Sequence, residues 1–315
     1  VGKYEEIDLT NQKKYPLSDR HNLVHIEDFG KSGEIDLSSF WECVPNILKA
    51  KDMQELISIC TEAYKRKKGI IVGLGGHVIK CGLTPLLIDM IKTGFITGLA
   101  ANGSVIVHDF EIAMQGKTSE DVASAIEDGS FGMAEETGTK INRIVSEASA
   151  AGLGLGEAMG KYIYESDLDY KGYSLLAAAY EYEIPFTIHV ALGTDIVHQH
   201  NTADGKAIGD CSLRDFRIFC KNITSLNDGG VYLNFGSAVI LPEVFLKAIT
   251  VVRNLDYPLR DFYTAIFDML MHYRPMNNIA KRPTKSGGKG FYFLGHHEIL
   301  IPLFLLSLKE KIKNE

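Results

Sequence analysis

Much of what would classify this sequence at once is missing from it. Its five cysteines, Cys43, Cys60, Cys81, Cys211 and Cys220, are odd in number and show no CxxC spacing. That argues against a disulfide framework and for a reducing compartment. No apolar run reaches the length of a membrane span; the stretch from Ile299 to Leu308 is too short. No leader-like apolar segment follows Val1, so a cytoplasmic location is expected, with no membrane partner. There is no basic excess either. The formal net charge is -7, which offers no general attraction to nucleic acid or to an anionic surface. The main basic cluster, Lys65-Arg66-Lys67-Lys68, ends a helical pattern, where cations complement the helix dipole. Internal repeats and low-complexity segments are lacking too.

What is present is an ordinary globular composition, 315 residues at 45% hydrophobic and 23% charged, with ample chain for a core. Residues 1–40 are polar and irregular and read as an N-terminal arm; residues 41–315 read as one α/β domain. Within it, apolar strands at 69–72, 95–101, 185–191, 230–235 and 261–267 alternate with helical patterns. Those helices fall at 44–66, 83–92, 104–114, 131–150, 172–183, 242–254 and 296–312. Thr118-Ser-Glu-Asp121 and Ser212-Leu-Arg-Asp215 have the spacing of helix-opening capping boxes. Residues 274–290 read as a Gly- and Lys-rich loop. Unbroken apolar strands separated by helices point to a doubly wound, mostly parallel sheet with helices on both faces, a Rossmann-like fold. Such folds bind ligands beyond the carboxyl ends of their strands.

The residues after each strand are therefore the candidates. Gly73-Leu-Gly75-Gly76-His77 lies between a strand and a helix, where glycines let the backbone approach a pyrophosphate. Val78 stands where a third glycine would complete the dinucleotide fingerprint. Asn102-Gly103-Ser104 ends the second strand, with His108 and Glu111 on one face of the helix after it. Gly152-Leu-Gly154-Leu-Gly156 follows a helix, not a strand, and reads as a helix break with close packing. Asp195, His198, His200 and Asp204 follow the third strand. They open two readings, a polar ligand loop and a divalent-metal site. Gly236-Ser237 follow the fourth strand. His297, at the head of the last helix, is a further candidate for the substrate side. Lys281, Arg282, Lys285 and Lys289 crowd one loop, which suits an anion or a lysine activated by cationic neighbours.

Taken in order, these motifs resemble the deoxyhypusine synthase family over roughly residues 65–310. The resemblance is carried by GLGGHVIKCGLTPLLIDMIKTGFITGLAANGS, by YSLLAAAYEYEIPFTIHVALGTDIVH, by SLRDFRIFCKNI with GGVYLNFGSAV, and by AKRP with the terminal ILIPLFLL. It implies an NAD-binding, Rossmann-like enzyme, a homotetramer in that family, that oxidises a polyamine and moves an aminobutyl group through an imine on a lysine. By resemblance the NAD site comprises Gly75, Gly76, His77, Asn102, Gly103, Asp195, Gly236 and Ser237. The substrate side takes His198, His200 and His297. The lysine is Lys289 or Lys285, and no metal is required. The sequence departs from the family in having Phe235-Gly236-Ser237 in place of a triple glycine, and no Trp beside Lys289. The expected function is an NAD-dependent transferase acting on a small amine. The alternatives are a metal-dependent hydrolase on Asp195, His198 and His200, and a non-catalytic NAD-binding protein.

Overall fold

A computed structural model describes residues 40–314. The chain divides into two compact units, Val1–Lys51 and Asp52–Glu315. The described part of the first holds the short helix α1 (Phe40–Cys43) and the start of α2 (Leu48–Lys65). Apart from Phe40, the expected arm lies outside the described residues. The second unit carries the sheet, its core and the site.

Six strands form that sheet: β1 (Ile70–Leu74), β2 (Gly98–Asn102), β3 (Phe186–His189), β4 (Val231–Phe235), β5 (Tyr263–Asp268) and β6 (Gly290–Leu294). Every neighbouring pair is parallel, in the order β3-β2-β1-β4-β5-β6. The chain thus builds outward from β1 in one direction, returns, and builds outward in the other. The reversal falls between β1 and β4, where a crevice opens at the strands' carboxyl ends. The helices between are α3 (Gly76–Lys80), α4 (Thr84–Lys92), α5 (Gly103–Gln115), α6 (Val122–Asp128), α7 (Glu135–Ala151), α8 (Leu155–Glu165) and α9 (Leu175–Glu181). They continue with α10 (Gly205–Ile223), α11 (Ile240–Asn254), the single turn α12 (Tyr273–Pro275) and α13 (His297–Asn314).

Side-chain alternation explains why the strands read as unbroken apolar runs. One face presents Ile71, Tyr232 and Ile266 to Phe219 of α10 and Phe245 of α11. Tyr232 stacks on Phe245 at 4.0 Å, a contact worth about 0.5–1.5 kcal/mol beyond its buried area. The other face presents Phe235, Phe267 and Phe293, with Phe304 of α13 packed 5.1 Å from Phe267. With both faces covered, nearly every strand position is buried. Among the described residues, no helix is long and apolar enough to cross a membrane. All five cysteines are free.

Several local expectations need correction. Asp121, not Thr118, caps α6, accepting from the Ala123 amide; the Thr118 hydroxyl is taken by Glu111. α10 opens at Asp204, whose carboxylate accepts from the Lys206 and Ala207 amides. Ser212 and Asp215 therefore lie inside that helix. Their side chains accept from amides in and just beyond β3, Ile188 for Asp215 and Val190 for Ser212. Asp215 also binds the Gly156 amide at the start of α8. Long-range partners claimed these side chains before a local cap could. Residues 274–290 are not a loop following a strand. They wind through α12, a π-helical turn at Met276–Lys281 and a 3-10 turn at Pro283–Ser286, then enter β6. Their burial and helical turns hold them against α11 and β6. The break at Gly152–Gly156 is as expected: Gly152 ends α7 with φ 71° and Gly154 opens α8.

Candidate functional site

The crevice is built by backbone before side chains enter it. The Gly75 amide donates to the Phe235 carbonyl, prolonging the β1–β4 ladder past both strand ends. A Cβ at Gly75 would lie 2.4 Å from the Gly236 carbonyl oxygen, and one at Gly76 would lie 2.5 Å from Ser104 Oγ. The two glycines thus bring the exits of β1 and β4, and the first turns of α3 and α5, into direct contact. Gly236 has φ 67°, and a side chain there would strike the His297 ring.

His297 heads α13 beyond β6 and is 1% exposed. Neither ring nitrogen makes a well-formed hydrogen bond. Burial lowers its pKa, while Asp268 and the Phe267 carbonyl favour protonation less strongly, so the ring is neutral near pH 7. Its ring lies 5.5 Å from that of His77. Asp268, the last residue of β5, is also buried, with Oδ1 on the Met269 amide and Oδ2 without a partner. His77 Nε2 meets Cys81 Sγ at 3.4 Å, and that thiol faces Glu298. Buried polar groups without partners are uncommon and costly. Here His297 and Asp268 stand together at the carboxyl ends of β5 and β6.

On the other side of the crevice, a cavity of about 410 Å³ lies between α3, α5 and the segments at 117–134 and 194–196. That size suits a small-molecule site. Its walls include Lys80, Ser104, His108, Glu111, Thr118 and Asp195. The Thr118 hydroxyl donates to Glu111 Oε2 at 2.6 Å and meets His108 Nδ1 at 2.8 Å. Having spent its one proton on Glu111, Thr118 must accept from His108 Nδ1–H, which leaves Nε2 as the free acceptor. Burial, then Lys80, pushes the His108 pKa down to about 4. Burial pushes Asp195 up to about 6.

The proposed NAD residues Gly75, Gly76, His77, Asn102, Gly103, Asp195, Gly236 and Ser237 come together along this edge. Their roles are partly structural. A Cβ at Gly103 would meet the Asp195 carboxylate. Ser237 Oγ accepts from the Leu241 amide at the head of α11. His198 is locked with Asp195 in a reciprocal cap: Nδ1 accepts from the Asp195 and Gly193 amides, and Asp195 accepts from the His198 amide. His200 Nε2 lies 2.9 Å from the Gly132 carbonyl, and its ring packs on Gly138. Asp204 caps α10. The four residues weighed as metal ligands thus serve three different local structures. No group of three or more His, Cys, Asp or Glu among the described residues could hold a metal.

Lys289 and Lys285 do not join the site. Lys289 precedes β6, and its carbonyl accepts from the Thr264 amide at the start of β5. It therefore marks the amino edge, roughly 15 Å from the carboxyl edge at about 3.3 Å per residue. Its ammonium pairs with Glu55 at 2.6 Å and Asp52 at 3.3 Å. Burial pulls its pKa down, but those carboxylates outweigh it and the net shift is upward, the wrong direction for a nucleophilic amine. Asp268 and Cys81 were not singled out in the sequence. The signal for Asp268 was its place as the last residue of a strand.

No protein-family model matches the chain, and no curated protein matches it. Solved structures do. A conserved protein of Methanococcus maripaludis S2, ascribed to the LOR/SDH type, superposes with a TM-score of 0.50 at 16% identity, over 90% of this chain and 73% of that one. AgrE, solved as a ternary complex with ornithine and NAD+, superposes with a TM-score of 0.51 at 13% identity, over 84% of this chain. This chain spans 33% of the length of AgrE. A protein of Entamoeba histolytica ascribed to the deoxyhypusine synthases reaches 0.49 at 12% identity, over 82% of this chain and 87% of that one, an overlay too loose to carry an argument. At these identities the likeness is one of fold: a Rossmann-like α/β sheet.

Proposed function

We propose that this chain binds a nicotinamide dinucleotide across the β1–β4 crevice and oxidises a small amine there. The observation that supports this most is the crevice itself. A Gly75–Gly236 backbone contact at the reversal of strand order has a cavity walled by hydroxyls, lysines and carboxylates on one side. On the other it has the neutral, unpartnered His297 with Asp268. The residues present fit such a group: Ser104, Asn102 and His108 could meet the adenosine half, and Gly236, His77 and His297 could face the nicotinamide half. NAD, when bound, supplies the hydride acceptor. The protein's part is to take the proton. A substrate ammonium, R–CH2–NH3+, must lose one proton before its carbon gives up hydride and becomes the iminium R–CH=NH2+. His297 is neutral and has Asp268 beside it to steady the imidazolium that forms, so it is the base in this reading.

Lysine-borne transfer of an aminobutyl group is not part of the proposal, because Lys289 and Lys285 lie at the other edge. The imine passes to water or to a second amine. The test is thermal unfolding and calorimetry with NAD, followed by NADH absorbance with a panel of amines. Binding to the native state alone stabilises by about 2.7 kcal/mol at a hundredfold excess over Kd. NAD binding with amine-dependent NADH formation supports the reading; no NAD binding removes it.

A further inference from the structure

A separate cavity, of about 540 Å³, lies on the flank of the sheet where the edge strand β3 begins, between α8, α9 and α10. Its charge is one-sided. Four carboxylates line it, Glu157, Glu181, Glu183 and Asp215, and no Lys, Arg or His does. Glu157, Glu181 and Glu183 are exposed, and none of them forms an ion pair among the described residues. Glu181 is the last residue of α9, where the helix dipole disfavours a carboxylate, so local structure does not account for it. Leu176, Ile184, Phe186 and Ile218 add apolar wall. Tyr164 and Tyr180, also in the lining, stand 5.7 Å apart with their rings tilted by 50°, and such ring faces attract a cation. Asp215 gives the cavity more than an acidic rim. It is 1% exposed; Oδ2 accepts from the Gly156 and Ile188 amides, and Oδ1 has no partner. A half-satisfied buried carboxylate is costly. Burial, with a smaller push from Glu157, raises its pKa to about 7, the direction set by negative charge without a counter-ion.

We infer that this cavity binds a free aliphatic amine, with its methylene stem along the apolar wall and its ammonium between the tyrosine rings and the carboxylates. The ammonium answers the unpaired acidic rim and the Asp215 charge behind it. The stem answers Leu176, Ile184, Phe186 and Ile218, which a bare metal ion would not need. The site is separate from the crevice and does not depend on the dinucleotide reading.

Calorimetry on the full chain without dinucleotide tests it, with hexylamine, 1-hexanol, magnesium and the peptide Gly-Lys-Gly as separate ligands. Hexylamine should bind, and more weakly as salt rises; 1-hexanol and magnesium should not bind. Glu157→Gln, Glu181→Gln and Glu183→Gln combined, all at exposed positions, should weaken hexylamine by about tenfold or more, the scale of one charged hydrogen bond. The urea midpoint of that variant should stay at the parent value. Tyr164→Leu should weaken hexylamine by a smaller factor. His297→Leu should leave its affinity unchanged, which separates this site from an amine bound in the crevice. Binding kept in the glutamine variant and lost in His297→Leu would overturn the inference. Equal affinity for 1-hexanol, as in a merely apolar cavity, or displacement of hexylamine by magnesium, as on a bare acidic patch, would also overturn it. Tighter binding of Gly-Lys-Gly than of hexylamine would assign the site to a protein's lysine instead of a free amine. No binding of hexylamine would remove the inference and leave the dinucleotide reading standing.

Discussion

The two edges of one sheet treat their titratable side chains in opposite ways. At the amino edge, charges are matched. Lys289 meets Glu55 and Asp52, Arg66 and Lys68 both meet Asp228, and Arg253 binds the Leu259 and Pro283 carbonyls. At the carboxyl edge, His297 and one oxygen of Asp268 are buried without partners, and His108 and Asp195 have their pKa values moved toward the neutral form by burial. Satisfied pairs hold a fold together. Unsatisfied, neutralised groups cost stability and make sense where a ligand or a proton is to complete them. The edge richest in lysine charge is thus not the edge that carries the chemistry.

The sharpest way to break this contrast is His297→Leu. Activity with amines should fall by about 10²–10⁴ if the ring is the base. The urea midpoint should hold or rise, because an apolar group replaces an unsatisfied polar one. A large loss of stability with activity retained would make His297 a structural residue. Next in size is Gly75→Ala, which pushes a methyl against the Gly236 carbonyl. Overpacking of this kind costs about 1–3 kcal/mol, and dinucleotide binding should be lost with it, measured by denaturation and calorimetry.

The pH response refines the carboxyl edge itself. His108 has a folded pKa of about 4 against an ordinary 6.5, so its contribution is present above pH 6.5 and is lost as pH falls toward 4. Asp195 has the opposite sign. Its folded value of about 6 against 3.8 means the native state holds a proton that the unfolded chain has released, so stability falls as pH rises through that window. Unfolding free energies of His108→Gln and Asp195→Asn, each subtracted from the parent curve between pH 4 and 6.5, should therefore slope in opposite directions. Parallel slopes would show that burial does not hold both groups in their neutral forms. The smallest effect belongs to the amino edge. Lys289→Met should cost no more than about 1 kcal/mol, since its pairs are partly exposed, and should leave turnover and dinucleotide binding unchanged. Loss of turnover would restore Lys289 to the chemistry.

Much of the fold was legible because parallel strands covered on both faces must be apolar at nearly every position. Five of the six strands stand out for that reason. β6 was missed because Gly290 abuts a run of glycine and lysine that reads as loop. The capping signals at Thr118 and Ser212 misled because a cap is a local pattern, and here distant groups held the same side chains. At the site, Gly75, Gly76, Asn102 and Gly236 were found by their place after a strand, and His297 by its place at the head of the last helix. Asp268 was overlooked because the expected strand ended at residue 267 and the candidates beyond it were placed in the loop at 274–290.

The sequence by itself determined the alternation of strand and helix, and hence a doubly wound sheet with its ligand edge at the strand ends. Periodicity and strand position are properties of neighbours along the chain. Only the tertiary structure decided which edge each loop meets, which carboxylates answer Lys289, and which polar groups are left without partners. Those outcomes depend on residues such as Asp52, Asp268 and His297, far apart in sequence, and on burial, which no short segment sets alone.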